Sequence, residues 1–155
     1  MTTRNILLQI AYDGTNFCGW QRQPHQRSVQ GTIEEALSTL CSMPIQIHGT
    51  SRTDAGVHAL GQQANFFLAS GIPTERIPLA LNHLLAGAKR AIGAVGDIRI
   101  LSATEMPDTF HARFDARGKR YHYQIHNGGE PDLFQRNYCY YVEKELDLHA
   151  MQQAA

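Results

Sequence analysis

The stretch His48-Gly-Thr-Ser-Arg-Thr-Asp-Ala-Gly-Val-His58 sets a cation, a hydroxyl and a carboxylate side by side at Arg52, Thr53 and Asp54, flanked by Gly49 and Gly56. The two glycines let the backbone turn tightly, so residues 48–59 read as an active-site loop. A carboxylate held by an arginine can attack an electron-poor carbon or take a proton. The same residue types also occur in plain surface turns, where an exposed ion pair contributes little. What separates the two readings is the rest of the chain.

The elements that must hold this loop are short and regular. Residues 6–12 are rich in branched and aromatic side chains and end at the turn signal Asp13-Gly14, which predicts a first strand. Between residues 28 and 41, Val29, Ile33, Ala36, Leu37 and Leu40 fall at helical spacing, with Glu34 and Glu35 in the early turns where the helix dipole favours acids. Residues 45–47 form a second strand that feeds the loop, and residues 62–69, with Ala64, Phe66, Phe67 and Leu68, a third that leaves it. A second helix covers residues 73–85, with Pro78 in its first turn, and residues 97–101 make a fourth strand. The glycines of residues 86–96 fail the phosphate-loop pattern because Gly93 is followed by alanine, which leaves a connecting segment. The order β-α-β-β-α-β places the chain in the α+β class, as a ferredoxin-like αβ sandwich: an antiparallel sheet with its helices on one face and the other face open to a ligand. Such a fold hosts many functions and settles none.

Two further segments carry chemistry. In residues 19–24 the single tryptophan, Trp20, stands beside Gln21 and Arg22. Either Phe17 and Trp20 pin this loop to the core, or Gln21 and Arg22 face RNA, since amides and arginine suit phosphates and base edges. Arg113, Arg117, Lys119 and Arg120 lead into residues 121–125, whose alternation predicts a fifth strand with Tyr121, Tyr123 and Ile125 on one face. Tyrosines there serve a core or interface, or stack on an exposed base while arginines hold phosphates. A last helix begins near residue 146 behind Asp147 as its cap.

Composition narrows the classes. Lys+Arg and Asp+Glu are equal at 14 each, so net charge neither suggests nor excludes a polyanionic partner. Three cysteines without C-x-x-C spacing point to reduced thiols. No apolar stretch is long enough to span a bilayer, so no membrane partner is expected and the cytoplasm is the expected compartment. His122 and His126 have a ligand-like spacing for a helix, but on a strand they stand about 13 Å apart, and no metal site is expected.

The motifs Tyr12-Asp-Gly-Thr-x-Phe-x-Gly-Trp-Gln-Arg-Gln-Pro24, Ser28-Val-Gln-Gly-x-x-Glu34, Gly49-Thr-Ser-Arg-Thr-Asp-Ala-Gly-Val-His-Ala59 and Lys119-Arg-Tyr-x-Tyr123, in this order, resemble the tRNA pseudouridine synthase A family along essentially the whole chain. The resemblance implies isomerisation of uridine to pseudouridine in the anticodon stem-loop of tRNA, just 3′ of the anticodon, with no metal or organic cofactor. It implies the pseudouridine synthase fold, in which two ferredoxin-like halves flank a basic cleft, and a homodimer in the full-length form. By position, Asp54 matches the family's catalytic aspartate, Tyr121 the tyrosine that packs on the target uracil, and Arg52 the arginine that takes the place of the flipped base. Thr53, Gly56 and His58 are expected to complete the substrate site, and Gln21, Arg22, Arg117, Lys119 and Arg120 to contact the RNA. The implied domains are residues 1–105, an αβ subdomain carrying loop 48–59, and residues 106–155, the start of a second half.

Two departures stand out. Residues 86–96 exceed the family's usual link, and family chains run well past residue 155, supplying a basic partner for the aspartate and an apolar wall of the pocket. The chain is therefore expected to be an N-terminal portion without full activity alone. The rival reading is a non-catalytic RNA-binding module that keeps the same platform.

Overall fold

Strand β1 (Arg4–Tyr12) buries Ile6, Leu8, Ile10 and Tyr12, alternate residues that point to one side of a sheet. The computed structural model describes residues 2–87 and 95–154, so the expectation for residues 86–96 falls largely outside the described residues. Helix α1 (Val29–Cys41) starts where the Ser28 side chain accepts from the Gly31 N–H, and it buries Val29, Ile33, Ala36 and Leu37 at helical spacing. Next come β2 (His48–Gly49), β3 (Ala59–Leu68), a single 3-10 turn at Thr74–Arg76, α2 (Ile77–Leu85) and β4 (Ile98–Met106).

The sheet order is β2-β3-β1-β4, with every neighbouring pair antiparallel. Val29, Ile33 and Leu37 of α1 and Ile77 and Leu81 of α2 share one core with Ile6, Leu8, Ile10, Phe66, Leu68 and Ile100 of the strands. The result is a mixed α/β fold on an antiparallel sheet. Among the described residues, no helix is long and apolar enough to cross a membrane.

On the opposite face, β1 and β3 carry two fully buried amides, Asn5 and Asn65. Residues 107–112 supply their partners. Asn5 donates to the carbonyls of Pro107 (3.0 Å) and Phe110 (2.8 Å), Asn65 donates to the Asn5 side-chain oxygen (2.9 Å), and the Ala112 N–H donates to Asn65 Oδ1 (2.9 Å). A buried amide without partners costs a few kcal/mol at most but reliably so, which makes this clasp specific. Beside it, His48, opposite Asn65 in the ladder, sets its ring 5.1 Å from that of His111.

Two expectations need correction. The strand predicted at residues 45–47 is not one. Ile45 and Ile47 are buried, but the Ile47 N–H donates to Glu34 (3.1 Å) and its carbonyl accepts from Gln30 (3.2 Å). Side chains of α1 thus take the place of a strand partner. The predicted fifth strand also fails over most of its length: Tyr121 to Gln124 lie outside any strand, and only β5 (Ile125–Asn127) pairs, in parallel with β6 (Tyr140–Val142). Alternation can define a face, but a ladder needs an edge to bond with, and β6 offers three residues.

Two units divide the chain, Met1–Arg117 and Gly118–Ala155. In the second, Asn127 ties the strand pair to the following turn, donating to the carbonyls of Val142 and Lys144 (both 2.8 Å). Helix α3 (Leu148–Ala154) is capped as predicted, with Asp147 Oδ1 accepting from the Ala150 N–H (2.9 Å).

Candidate active site

Loop 50–58 is fastened at nearly every step. On the β3 side, the Thr50 N–H donates to the Gln63 carbonyl (2.9 Å) and Gln62 Nε2 donates to the Ser51 carbonyl (2.8 Å). On the other side, the Thr53 carbonyl accepts from the Trp20 N–H (3.0 Å), and the Thr53 hydroxyl lies 2.8 Å from that of Tyr12. The Val57 N–H returns to the Asp54 carbonyl (3.2 Å), closing a turn whose third residue, Gly56, has φ +78°. A type II turn requires positive φ there, which is why glycine occupies it.

These bonds leave Arg52 and Asp54 facing solvent while Ser51 and Thr53 are half-buried. Among the described residues, no hydrogen bond or ion pair engages the side chain of either. The expected grip of Arg52 on Asp54 is therefore absent. The residue between them is drawn inward, and two exposed charges gain too little from pairing in water to hold one geometry. Asp54 stands as an accessible carboxylate on an anchored backbone, equipped to act as a nucleophile or a base.

His58 closes the loop. Its Nδ1 lies 3.1 Å from the Gly14 N–H and 3.1 Å from Asp13 Oδ1. The first contact needs a lone pair on that nitrogen and the second a proton, so the two cannot be hydrogen bonds at once.

Phe17 and Trp20 are both buried in the core and so pin the loop of residues 19–24 to it. The indole covers Gly49, and Gly19 lies against the Thr53–Asp54 peptide, where a Cβ would stand 2.7 Å from the Thr53 carbonyl oxygen. Gln21 and Arg22 have internal partners: Gln21 donates to Gln30 (2.8 Å) and Arg22 pairs with the buried Glu34 (3.1 Å). Sequence reasoning missed Gln30, Glu34 and Tyr12 as organisers of this site. The signal available was a glutamine and a glutamate one helical turn apart, both facing a strand lead with unpaired peptide groups.

Of the remaining predicted residues, Arg117 ends the first unit, while Lys119, Arg120 and Tyr121 belong to the second. All four are exposed. Tyr121 is 61% exposed, so most of its side chain is open to solvent.

A sequence signature described as tRNA pseudouridine synthase matches residues 9–115. The tRNA pseudouridine synthase A of Caldicellulosiruptor bescii is 49% identical over 151 residues, covering 97% of this chain and 58% of that protein. Those of Acetivibrio thermocellus (46% over 152 residues, 98% and 59%) and Halalkalibacterium halodurans (42% over 153 residues, 98% and 55%) are similar. The chain thus spans somewhat over half the length of the curated relatives it matches.

Proposed function

The chain belongs to the tRNA pseudouridine synthase family, and on that premise we propose that it provides the catalytic aspartate half of an enzyme that isomerises uridine to pseudouridine in tRNA. The observation that carries the proposal is Asp54: an exposed carboxylate on a loop held at Thr50 and Ser51 by the sheet and at Thr53 and Gly56 by the Tyr12–Trp20 segment.

The reaction breaks the N1–C1′ glycosidic bond, turns the uracil, forms a C5–C1′ bond and releases the C5 hydrogen as a proton. Asp54 serves this by either of two routes. Attack of its carboxylate on C1′ displaces the uracil and leaves an ester that C5 then displaces. Removal of the 2′ proton expels the uracil to leave a glycal, to which C5 adds as the proton returns. The target base must first leave its stack, at a cost of a few kcal/mol, and Arg52, exposed two residues from Asp54, fills the gap. Tyr121 packs on the detached uracil, which keeps it oriented between the two steps. Gly56 shapes the turn beside Asp54, and His58 borders the site. Arg22, Gln21, Arg117, Lys119 and Arg120 hold RNA phosphates, Arg22 through the part of its guanidinium that its pair with Glu34 leaves in solvent.

The target lies in the anticodon stem-loop, just 3′ of the anticodon. The architecture we assign is the ferredoxin-like sandwich, supported by the strand order β2-β3-β1-β4 and the element order β-α-β-β-α-β. Residues 106–155 begin a second αβ half, and the full-length protein works as a homodimer.

The test uses protein from the complete natural reading frame. Wild type releases tritium from tRNA labelled at uridine C5; Asp54→Asn abolishes release while tRNA binding persists. Turnover by the variant would remove Asp54 from the chemistry. Binding without turnover by wild type would favour the RNA-binding module.

A further inference from the structure

Thr53 sits between the two side chains that face the substrate and points the other way. Exposure alternates along this segment, with Ser51 and Thr53 half-buried and Arg52 and Asp54 exposed. Two bonds from different elements hold Thr53. Its hydroxyl meets that of Tyr12 at 2.8 Å, and its carbonyl accepts from the Trp20 N–H at 3.0 Å.

These bonds act on different degrees of freedom. The hydroxyl contact fixes the Thr53 side chain against the end of β1, an interior strand paired on both edges. The carbonyl belongs to the planar Thr53–Asp54 peptide, so holding it holds the plane from which the Asp54 Cα departs. Gly19 packs against that plane: a Cβ there would stand 3.2 Å from the Asp54 carbonyl carbon. Tyr12 itself is only 5% exposed, its ring 6.1 Å from that of Trp20, so its hydroxyl cannot swing away without disturbing the core.

We propose that Tyr12 and Thr53 are positioning residues for the isomerisation: their hydroxyl pair, with the Trp20–Thr53 bond, sets the angle at which Asp54 meets C1′ or the 2′ hydrogen. This rests on the assignment of Asp54 above, and it gives the Thr53 hydroxyl a task inside the protein instead of on the substrate. A loop displaced by a fraction of an ångström still binds RNA but presents the carboxylate poorly, so the loss falls on the chemical step.

The experiment has two arms. In protein from the complete reading frame, Tyr12→Phe and Thr53→Val each lower kcat about tenfold or more with KM changed less than about twofold, Thr53→Ser retains wild-type kcat, and the double variant is no worse than the poorer single one. Wild-type kcat in Tyr12→Phe or Thr53→Val, a loss confined to KM, or losses that multiply would each overturn the proposal. In the 155-residue chain, amide exchange at Trp20 rises in Tyr12→Phe and Thr53→Val while exchange in β1 stays unchanged. Unaltered exchange at Trp20 also overturns it. If wild type shows no turnover, the assignment of Asp54 fails and the exchange arm decides the positioning role by itself.

Discussion

The indole of Trp20 lies so close to Gly49 that a Cβ added to the glycine would stand 2.5 Å from Cζ2 and 2.7 Å from Nε1. Gly49 is the last residue of β2 and opens the loop that carries Asp54, so its missing side chain lets the tryptophan close over the loop's entrance. Gly49→Ala forces the ring outward from a site that is now 2% exposed. Overpacking of this kind costs about 1–3 kcal/mol. As Trp20 is the only tryptophan, its fluorescence reports directly: the emission maximum shifts to the red in Gly49→Ala, and an unshifted spectrum would contradict the contact.

Glu34 organises the other approach to the loop. Its carboxylate accepts from the Ile47 N–H and Gln30 Nε2 (3.1 Å each) and from Arg22 (3.1 Å). Glu34→Ala leaves the buried Ile47 N–H without a partner, a loss of about 1–3 kcal/mol in urea unfolding. Glu34→Gln costs less, because an amide oxygen still accepts from Ile47. Arg22→Ala changes stability by under about 1 kcal/mol, since its side chain is 61% exposed. Equal losses in Glu34→Ala and Arg22→Ala would show that the ion pair, and not the peptide contact, matters.

The Asn5–Asn65 clasp makes a separate prediction. Asn65→Leu keeps the volume roughly but removes the acceptor for the Ala112 N–H and the donor to Asn5. Stability falls by about 1–3 kcal/mol, and residues 107–115 become sensitive to brief proteolysis while β1 remains protected. Equal cleavage of variant and wild type would mean that the amides do not hold that segment on the sheet.

Electrostatics supplies a fourth test. If Arg117, Lys119 and Arg120 contact tRNA phosphates, replacing all three with alanine flattens the dependence of log Kd on log salt by about 2 to 3 units. Filter binding across salt concentrations measures this slope. A parallel shift with an unchanged slope would place these residues away from the phosphates.

Burial pushes the Cys41 thiol above its ordinary range, because desolvation penalises the thiolate. At neutral pH it carries less thiolate than a cysteine in a short peptide, so it reacts more slowly with iodoacetamide, and its rate keeps climbing at a pH where the peptide's has levelled off. Matching pH profiles for the two would rule out the burial effect.

Local patterns were legible wherever one element's own residues decided the outcome. The helical spacing from Val29 to Leu37, the Asp147 cap and the turn at Gly56 depend on side chains a few positions apart, and each was foreseeable from the chain. The strand expected at residues 45–47 failed because Gln30 and Glu34, distant in sequence, take up its peptide groups. Tyr121 to Gln124 failed as a strand because alternation carries no information about the edge available to pair with it.

What the sequence by itself determined was the family, through the order and content of its motifs, together with the residue types of the loop. The tertiary structure decided which of those residues face outward. Arg52, Thr53 and Asp54 are consecutive and all polar, and no local pattern names the partners that take up the Thr53 hydroxyl and carbonyl. Thr53 turns inward because Tyr12 and Trp20 are brought to it from β1 and the loop after it, across some thirty to forty positions of sequence, and hydrogen bonds form between groups that the fold makes neighbours.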